Sequence, residues 1–582
     1  APQGFKGSLG PWEAARAIQR GSNKIFPDSQ TTLIPVADGG NGTLEVLVGE
    51  KSGNYSQAIV AGPLGEKILA YWGVMNDKKT AVIESAHACG LTLLSPNLRN
   101  PLKTTTKGVG ELIKVALDRG YYKIILGVGG SATNDGGVGM AQALGIRFLD
   151  RYGQDLPLGG GSLVNLATID FEGLDPRIAE SEITVALVGC GGRGTGAAAQ
   201  AILADEDVRL VAIADVFEDQ ATQCYQNLIE RFGDSGKVKA SPETTFIGFD
   251  GYKKAIEMAD TVILTTPPGF RPLHFEYAIS RNKHVFMEKP LATDVAGIKK
   301  VLAAGKEAQQ KKLNVVVGLQ RHYQKNYRII KKMIDYGRIG DIVSGQVYWN
   351  SSGVWVRPRK PRQTELEYQM RNWYYFNWLC GDHILEQHIH NIDIANWFIG
   401  SVPLSAQGMG GRQVRKGPDH GQIFDHHFVE FTYPNGQVIA SQCRHQEGCM
   451  NRVDERFQGT RGDVIVNSAH YGVIKSKRGR VLYDHDGEKD INPYQQEHNE
   501  LFAAIRAGDY RMDDTGRGAE ATMTAILGRM VTYSGQVITW DEAINFDHKL
   551  VPELHSFNDT APVLPDKNGQ YPVPVPGVTQ FG

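Results

Sequence analysis

The sequence has few cysteines, and none of them is spaced as a metal or redox motif. Only 6 of its 582 residues are cysteine, and no two form Cys-x-x-Cys, the spacing of zinc ribbons and thioredoxin-like centres. Cys443 and Cys449 are close enough in sequence for a disulfide, with free thiols as an equal alternative. The spacing therefore excludes both a zinc ribbon and a thioredoxin-like centre.

Long apolar runs and an excess of charge are also missing. No apolar stretch approaches the ~20 residues that span a bilayer, and 62 basic against 64 acidic residues leave a net charge of −2. We therefore expect neither a nucleic acid nor a membrane as partner. A cytoplasmic location is the default expectation. Because the chain begins APQGFKGS without an initiator Met, a periplasmic or secreted location stays open.

The chain is too long for one hydrophobic core, so two or three domains are expected. Strand-like runs alternate with helical patterns over 1–180 and again over 181–318, where the order strand, glycine turn, helix, strand predicts a doubly wound parallel sheet. Over 319–582, short runs alternating apolar and polar residues predict an α+β domain with a large open antiparallel sheet. A proline-rich, extended arm ends this third domain. The predicted fold class is α/β, with a doubly wound Rossmann sheet, a following α+β domain and a partial α/β domain before them.

A glycine turn directly after a strand predicts a dinucleotide site. In VALVGCGGRGTG (185–196), Gly189 would permit a tight turn, Gly191 the approach of a pyrophosphate, and Gly194 close packing of helix on strand. The next strand ends in Asp215, whose carboxylate can bind a ribose 2′-hydroxyl and would repel a 2′-phosphate. NAD is therefore favoured over NADP. Arg193, inside the turn, joins the predicted cofactor contacts.

Residues 261–290 read TVILTTPPGFRPLHFEYAISRNKHVFMEKP. This stretch resembles the Gfo/Idh/MocA oxidoreductases, which share a strand ending in Thr-Pro-Pro, a following His and a Glu-Lys-Pro signature. The resemblance covers roughly 183–545 and implies a Rossmann domain followed by a domain whose open sheet floors the substrate pocket and packs against other subunits. A homo-oligomer is therefore expected. The cofactor contacts that the resemblance implies are Thr266, Pro267, His274 and Glu288.

The resemblance places Lys289, the lysine of the Glu-Lys-Pro signature, at the nicotinamide, where its ammonium can hydrogen-bond the reacting oxygen and lower the pKa of the alcohol. A second family mark, G-G-x-x-x-D-x-x-x-H-x-x-D followed by Trp, matches CGDHILEQHIHNIDIANW at 380–397. His390 and Asp393 fall in place, and Glu386 stands where the family usually has Asp. We predict that His390 takes the proton and that Glu386, four residues earlier on one helix face, or Asp393 orients its imidazole.

The same segment is dense in potential metal ligands. His383, Glu386 and His390 would lie near one helix face, but HExxH spacing is absent. Because the resemblance also implies no metal, no metal site is predicted.

Aromatic and polar side chains precede this segment in RNWYYFNW, 371–378. Aromatic rings pack on the C–H faces of a pyranose while polar groups bind its hydroxyls, so the stretch is typical of a sugar pocket. A buried amphipathic helix is the alternative. GLQRH (318–322) ends a strand near the cofactor and supplies Gln320 as a predicted cofactor contact. The predicted substrate contacts are Arg321, Arg371, Trp373, Tyr374, Asp382 and His383.

The first 180 residues carry a different set of motifs. FKGSL (5–9), PVADGGNGT (35–43) and GVGGSATNDGGVGMAQALGIRFLD (127–150) resemble the glycerate kinases, which phosphorylate glycerate from ATP, but cover roughly the first half of such an enzyme. Two family carboxylates are replaced: the Asp-Ser that precedes Phe-Lys-Gly in the family is Gln3-Gly4 here, and the acidic residue after Gly-Gly is Asn41. The candidate phosphate or metal contacts that remain are Lys6, Asp38 and Asp135.

These observations predict an NAD-dependent oxidoreductase that transfers hydride between nicotinamide and a hydroxyl-bearing carbon of a sugar, polyol or glycoside. One alternative is an NAD-dependent glycosidase of the same superfamily, which oxidises its substrate transiently. A second alternative is glycerate kinase activity from the incomplete first segment.

Overall fold

The computed structural model describes residues 2, 4–5, 8–49, 54–121, 123–175, 182–485, 487 and 490–580. The chain divides into two compact units, Ala1–Ser181 and Glu182–Gly582. The predicted boundary between residues 180 and 181 lies outside the described residues, and the division into three domains stays a prediction.

The first unit is built on a mixed sheet in the order β1-β2-β3-β4, in which only β3 and β4 pair in parallel. Its strands are β1 (Asn54–Ala61), β2 (Lys67–Val74), β3 (Thr80–Glu84) and β4 (Lys123–Gly127), with the separate pair β5 (Arg147–Leu149) and β6 (Thr168–Asp170). Its helices are α1 (Pro11–Ile25), α2 (Thr43–Val48), α3 (Ala86–Cys89), α4 (Lys107–Asp118) and α5 (Val138–Ala143).

Every residue of β3 is buried, because helices cover both faces of the sheet there. Ala81 and Ile83 pack in the cluster with Leu112 of α4, whereas Val82 packs with Leu44 of α2. A strand that is buried on both faces has apolar residues in succession, as in Ala81–Ile83 of β3.

The glycine-rich loop after β4 is held together by Asp135. This carboxylate is 1% exposed and accepts hydrogen bonds from the amides of Thr106 (2.8 Å), Gly137 (3.2 Å) and Gly139 (3.1 Å). The Thr106 hydroxyl donates a further bond of 2.9 Å. Asp135, one of the candidate phosphate or metal contacts, is thus buried and anchors its own loop. Asp38 is exposed and accepts a bond from the Gly40 amide (3.0 Å), and Lys6 lies outside the described residues.

In the second unit, six described strands form a wholly parallel sheet in the order β9-β8-β7-β10-β11-β12. The order reverses between β7 and β10, the switch point beside which ligands bind in such sheets. The strands are β7 (Ile183–Val188), β8 (Val208–Asp215), β9 (Thr245–Ile247), β10 (Thr261–Leu264), β11 (His284–Met287) and β12 (Val315–Val317). The helices are α6 (Gly192–Ala204), α7 (Glu218–Phe232), α8 (Gly251–Glu257), α9 (Arg271–Ser280) and α10 (Val295–Gln310).

The turn between β7 and α6 needs its glycines for different steric reasons. Gly189 has φ +100°, and a Cβ there would lie 2.5 Å from the Thr266 nitrogen. A Cβ on Gly194 would lie 1.9 Å from the Gly189 oxygen, whereas one on Gly191 would have no heavy atom within 4 Å. The three glycines therefore provide a turn, close helix packing and an open backbone surface.

A second sheet follows in the order β20-β19-β18-β17-β13-β16-β15-β14-β21 among the described residues. Its strands are β13 (Ile342–Ser351), β14 (Ser405–Gly411), β15 (His426–Thr432), β16 (Val438–His445), β17 (Arg452–Gly459), β18 (Gly462–Asn467), β19 (Tyr471–Ser476), β20 (Val481–Asp484) and β21 (Ile538–Thr539). The expected antiparallel pattern has one exception: β13 lies between β16 and β17 and pairs with β16 in parallel.

Helices bury one face of this sheet, and its core includes Val429, Phe431 and Phe457 packed with Met523 and Ile526 of the longest helix. The helices are α11 (Lys325–Asp335), α12 (Glu365–Arg371), α13 (Asn377–Cys380), α14 (His383–Glu386), α15 (Ile389–Ile399), α16 (Pro493–Arg506), α17 (Thr515–Ser534) and α18 (Trp540–Asn545). The mixed α/β class with a parallel Rossmann sheet and a large open sheet is confirmed.

Residues 546–580 form neither helix nor strand and are the last described part of the second unit. The Leu550 amide donates to the carboxylate of Asp294 (2.6 Å) at the start of α10. All six cysteines are free, Cys443 buried and Cys449 exposed. Among the described helices, none combines the length and apolarity that crossing a membrane requires.

We predict that Asp135→Ala loosens the glycine-rich loop by about 1–3 kcal/mol, because buried amides lose their acceptor. Hydrogen–deuterium exchange of the full chain should show amides 106, 137 and 139 exchanging at least about 10-fold faster. Asp28→Ala, at an exposed position, is the control. Unchanged exchange at these amides would show that Asp135 does not hold the loop.

We predict losses of stability of different size for two alanine substitutions in the β7–α6 turn. Gly194→Ala should lower the free energy of unfolding of the second unit by about 3 kcal/mol, because its methyl group would overlap a backbone oxygen. Gly191→Ala should cost no more than about 1 kcal/mol, because its methyl group meets open space. Urea unfolding of the full chain measures both, and equal losses would contradict the close packing at Gly194.

Candidate active site

The β7–α6 turn forms one wall of a groove of about 370 Å³ at the carboxyl ends of the Rossmann strands. Gly191 and Arg193 line it, and the free amides of the N-terminus of α6 begin there. An open glycine backbone at a helix N-terminus is a binding site for an anion such as a pyrophosphate. The groove therefore fits the phosphates of a dinucleotide.

Asp215 lies on the same groove, at the end of β8. One oxygen of its carboxylate accepts from the Cys190 amide (2.7 Å) and the other from the Phe217 amide (2.9 Å). Burial raises the pKa of this carboxyl, although the two amide bonds oppose the shift. The carboxylate is thereby fixed in place with lone pairs left for a hydroxyl donor.

Thr266, Pro267 and His274 also line the groove, at the end of β10. The Thr266 hydroxyl lies 3.1 Å from Nδ1 of His274, whose ring packs on Tyr252 with centroids 4.3 Å apart. Burial lowers the pKa of His274 to about 3, so its imidazole is neutral. All three predicted residues therefore contribute to the groove wall.

Part of the groove wall comes from the segment between β13 and α13. Trp355, Arg357, Arg371 and Trp373 line the groove, and sequence reasoning had missed the first two. Arg371 donates to both carboxylate oxygens of Asp219 (3.0 and 3.1 Å). The predicted substrate contacts Arg371 and Trp373 thus lie on the dinucleotide groove, because the chain crosses over it here.

Lys289 follows β11, and the peptide bond to Pro290 is cis. Its Nζ lies 3.0 Å from Oε1 of Glu386 and also donates to the main-chain oxygen of that residue. Burial raises the pKa of Glu386, and the neighbouring ammonium opposes the shift. Glu386 therefore holds the lysine and does not orient His390 as predicted.

His390 is 5% exposed and stacks on Trp349, with ring centroids 5.9 Å apart. Burial, reinforced by the positive charge of Lys289, holds its pKa well below the usual range. A neutral imidazole beside a lysine is suited to accept a proton.

The expected single helix face through Glu386 and His390 is wrong. Helix α14 ends at Glu386 and α15 starts at Ile389, with Gln387 and His388 forming a turn between them. The Asp393 carboxylate of α15 instead lies 2.8 Å from Nε2 of His322. His322 is the last residue of the GLQRH stretch, but the sequence did not indicate that it pairs with Asp393.

Arg193 is engaged by carboxylates of two different segments. Its guanidinium donates one hydrogen bond to the Glu288 carboxylate and another, of 3.2 Å, to the carboxylate of Glu497 in α16. Glu288 thus contacts the glycine turn directly, and Arg193 is fixed at the end of the groove.

Three predicted substrate contacts, Tyr374, Asp382 and His383, are 2%, 0% and 0% exposed. Asp382 accepts bonds from the Phe424 amide (2.9 Å), the Tyr533 hydroxyl (2.5 Å) and Nδ1 of His383 (2.7 Å). The structure therefore places these side chains in the core and not on a pocket.

Among the described residues, one group offers metal-ligand atoms within 4.8 Å of one another: Asp382, His383 and His427. It differs from the set of His383, Glu386 and His390 considered from sequence. The oxygens of Asp382 already accept several hydrogen bonds, so we interpret the group as a buried polar network.

Comparisons with known proteins identify each segment. Residues 183–318 match the model of the "Oxidoreductase family, NAD-binding Rossmann fold", and 327–465 match the "GFO/IDH/MocA C-terminal domain". Levoglucosan dehydrogenase in complex with NADH is 17% identical, with a TM-score of 0.50 over 62% of this chain and 99% of the other. Apo scyllo-inositol dehydrogenase from Lactobacillus casei is 17% identical, with a TM-score of 0.48 over 62% of this chain and 100% of the other.

Residues 1–230 match the "Glycerate kinase family" model, a range that runs into the Rossmann sheet. The glycerate kinase of Bacillus subtilis (strain 168) and the glycerate 2-kinase of Escherichia coli (strain K12) are each 52% identical over 186 residues, which is 32% of this chain and 49% of each relative. The chain thus spans about half the length of these curated relatives. Together, the chain matches the glycerate kinase family model over its first segment and the two Gfo/Idh/MocA family models over 183–318 and 327–465.

Proposed function

We propose that the unit Glu182–Gly582 is an NAD-dependent oxidoreductase acting on a hydroxyl-bearing carbon of a sugar, polyol or glycoside. The observation that carries the proposal is the placement of Lys289, which follows β11 and is held by Glu386. The positive charge of Lys289 also helps to keep the pKa of His390 low, so that this imidazole is neutral. The Rossmann family match supports the same chemistry.

The groove fits a dinucleotide at three points. Gly191 leaves room for a pyrophosphate at the N-terminus of α6. The Asp215 carboxylate can accept a hydrogen bond from a ribose hydroxyl, and Thr266 lines the groove after the end of β10. A 2′-phosphate would meet the Asp215 carboxylate, which favours NAD over NADP.

A bound nicotinamide would accept the hydride from the carbon or return it. Lys289 would donate a hydrogen bond to the substrate oxygen and stabilise the charge that develops on it. His390 would take the hydroxyl proton during oxidation and return it during reduction. Glu386 acts through Lys289, by fixing its ammonium. Redox-assisted glycoside cleavage would use the same residues and differ in its product.

The first unit is left outside this proposal. Asp135, the acidic candidate in its glycine-rich loop, has both oxygens engaged by groups of its own unit. We therefore propose no phosphoryl transfer, and formation of phosphoglycerate from ATP and glycerate by the full chain would contradict this.

We predict that Lys289→Ala lowers kcat/KM for sugar or polyol oxidation about 10²–10⁴-fold, the usual contribution of such a group, while the Kd for NAD changes less than about 3-fold. Absorbance at the NADH band measures turnover, and chromatography of the products distinguishes oxidation from glycoside cleavage. Lys300→Ala, which breaks an exposed pair with Glu276, is the control. Wild-type activity in the Lys289 variant would refute the mechanism.

We predict that Asp215→Asn reduces the preference for NAD over NADP at least about 10-fold, because the charge facing a 2′-phosphate is removed. Titration of both cofactors by fluorescence measures the ratio without requiring a substrate. Asp205→Asn, which breaks an ion pair with Arg506 at the far end of α6, should leave the ratio unchanged. An unaltered ratio in Asp215→Asn would contradict its assignment to the ribose.

A further inference from the structure

The dinucleotide groove has a wall that the Rossmann strands do not supply. Near Asp215, the carboxylate assigned to the ribose, the groove is lined by Phe217, Phe249 and Arg371. The Phe217 amide donates to Asp215 (2.9 Å), and Arg371 is the last residue of α12. Because the adenine of a dinucleotide is bonded to the ribose that Asp215 would hold, it would lie beside these side chains.

Arg371 has a guanidinium whose three nitrogens are already engaged by protein groups. Its Nε donates to Glu367 (3.0 Å), and its two terminal nitrogens donate to the two carboxylate oxygens of Asp219 (3.0 and 3.1 Å). Two carboxylates balance the single positive charge, so the group is poorly suited to attract a phosphate. It does keep a plane of fixed orientation, and a guanidinium plane stacks well on aromatic rings and nucleobases.

Phe217 packs against this guanidinium. The guanidinium carbon of Arg371 lies 4.0 Å from the centre of the Phe217 ring, and Phe217 itself is only 9% exposed. The Arg371 side chain lines the groove and keeps 22% of its surface exposed. Of the parts of a dinucleotide, the planar base is the one that matches an exposed guanidinium plane.

The segment 546–580 adds a further layer behind this wall. The Phe557 ring is stacked on Phe217, with ring centroids 5.3 Å apart, and packs edge-on against Phe249, with centroids 5.1 Å apart. Phe557 does not belong to the described residues that line the groove. It can therefore act on a bound ligand only through the two rings that it supports.

The same segment also holds α12, the helix that ends in Arg371. The Thr364 hydroxyl, which caps the start of α12, donates to the Phe557 carbonyl (2.7 Å). Further along the helix, the Gln369 amide donates to the Val563 carbonyl (2.6 Å). The position of Arg371 therefore depends on this segment through the helix as well as through the stacked rings.

We propose that the Arg371 guanidinium is the surface on which the adenine of NAD stacks, and that Phe557 is a positioning residue that holds this surface in place through Phe217. The assignment rests on the dinucleotide site of the proposed function. It extends that site from the Rossmann strands to α12 and the segment 546–580. Arg371, expected from the sequence to contact the sugar, thereby becomes a cofactor residue.

Displacement of fluorescent NADH from the full chain tests the stack, with AMP and ribose 5-phosphate as two probes that differ by the adenine ring. We expect AMP to bind the wild type at least about 10-fold more tightly, because stacking one base contributes this much. Arg371→Lys keeps the charge and loses the plane, so it should weaken AMP about 10-fold. Phe557→Ala should weaken AMP about 5-fold, whereas Phe557→Leu, which keeps apolar packing, should stay within about 2-fold of wild type.

The second probe and two further variants control for misfolding. Ribose 5-phosphate should bind every variant within about 3-fold of wild type, because it does not reach the stack. Arg511→Lys changes an exposed Arg–Asp pair, and Leu564→Ala an exposed side chain of the same segment, and neither should alter the affinity for AMP. Equal losses of both probes in Phe557→Ala, or wild-type affinity for AMP in Arg371→Lys, would overturn the proposal.

Failure of the adenine surface and failure of the proposed function have different results. Selective loss of AMP in Arg371→Lys, without NAD reduction by any sugar or polyol, supports the surface and refutes the oxidation. Where a sugar is oxidised, we expect the KM for NAD to rise in Arg371→Lys and Phe557→Ala while kcat stays within about 3-fold. An unchanged KM for NAD refutes the surface alone, and a raised KM for the sugar in its place would assign Arg371 to the substrate.

Discussion

The ion pair between Lys289 and Glu386 is the contact on which the arrangement of the larger unit depends. It joins the turn after the Rossmann strand β11 to α14 of the following domain, and its side chains are only 12% and 15% exposed. Removing one partner from such a buried pair costs about 3–5 kcal/mol, because the remaining charge stays desolvated. The pair therefore fixes the reactive lysine and links the turn after β11 to α14 by the same interaction.

Other pairs repeat this arrangement along the carboxyl edge of the Rossmann sheet. Arg193 reaches Glu497, Arg321 reaches Glu455, and His322 binds Asp393. In each pair one residue follows the end of β7 or β12, and its partner lies later in the chain, on α16, β17 or α15. Burial raises the pKa of Glu455 to about 7 even beside Arg321, which shows how far this interface is withdrawn from water. A dry, polar interface strengthens electrostatic stabilisation of charge on a substrate oxygen.

Local patterns in the sequence predicted the parts of the fold that depend on local chemistry. The glycine spacing at Gly189–Gly194 predicted the turn because each position has its own steric demand. Pairing between distant segments was not predictable: β13 pairs with β16 in parallel although 94 positions separate the paired residues Ser344 and Val438. The partner of Glu386 was missed because the break at Gln387 interrupts the helix on which the i, i+4 argument relied. The aromatic stretch after Arg371 showed amphipathic composition, but composition does not say which cavity a ring faces.

Two glycine-rich turns in this chain show how context decides the use of one residue type. In the first unit Asp135 is 1% exposed, and backbone amides of its own loop take up both of its oxygens. In the second unit Asp215 also accepts from two amides, but it lies on a groove of about 370 Å³ at the switch point of a parallel sheet. A carboxylate whose bonds are all internal stabilises a loop, whereas one fixed at the edge of an open groove can select a ligand. The difference comes from the element that follows each turn: α6 presents its N-terminus to the groove, whereas the Gly139 amide at the start of α5 donates to Asp135.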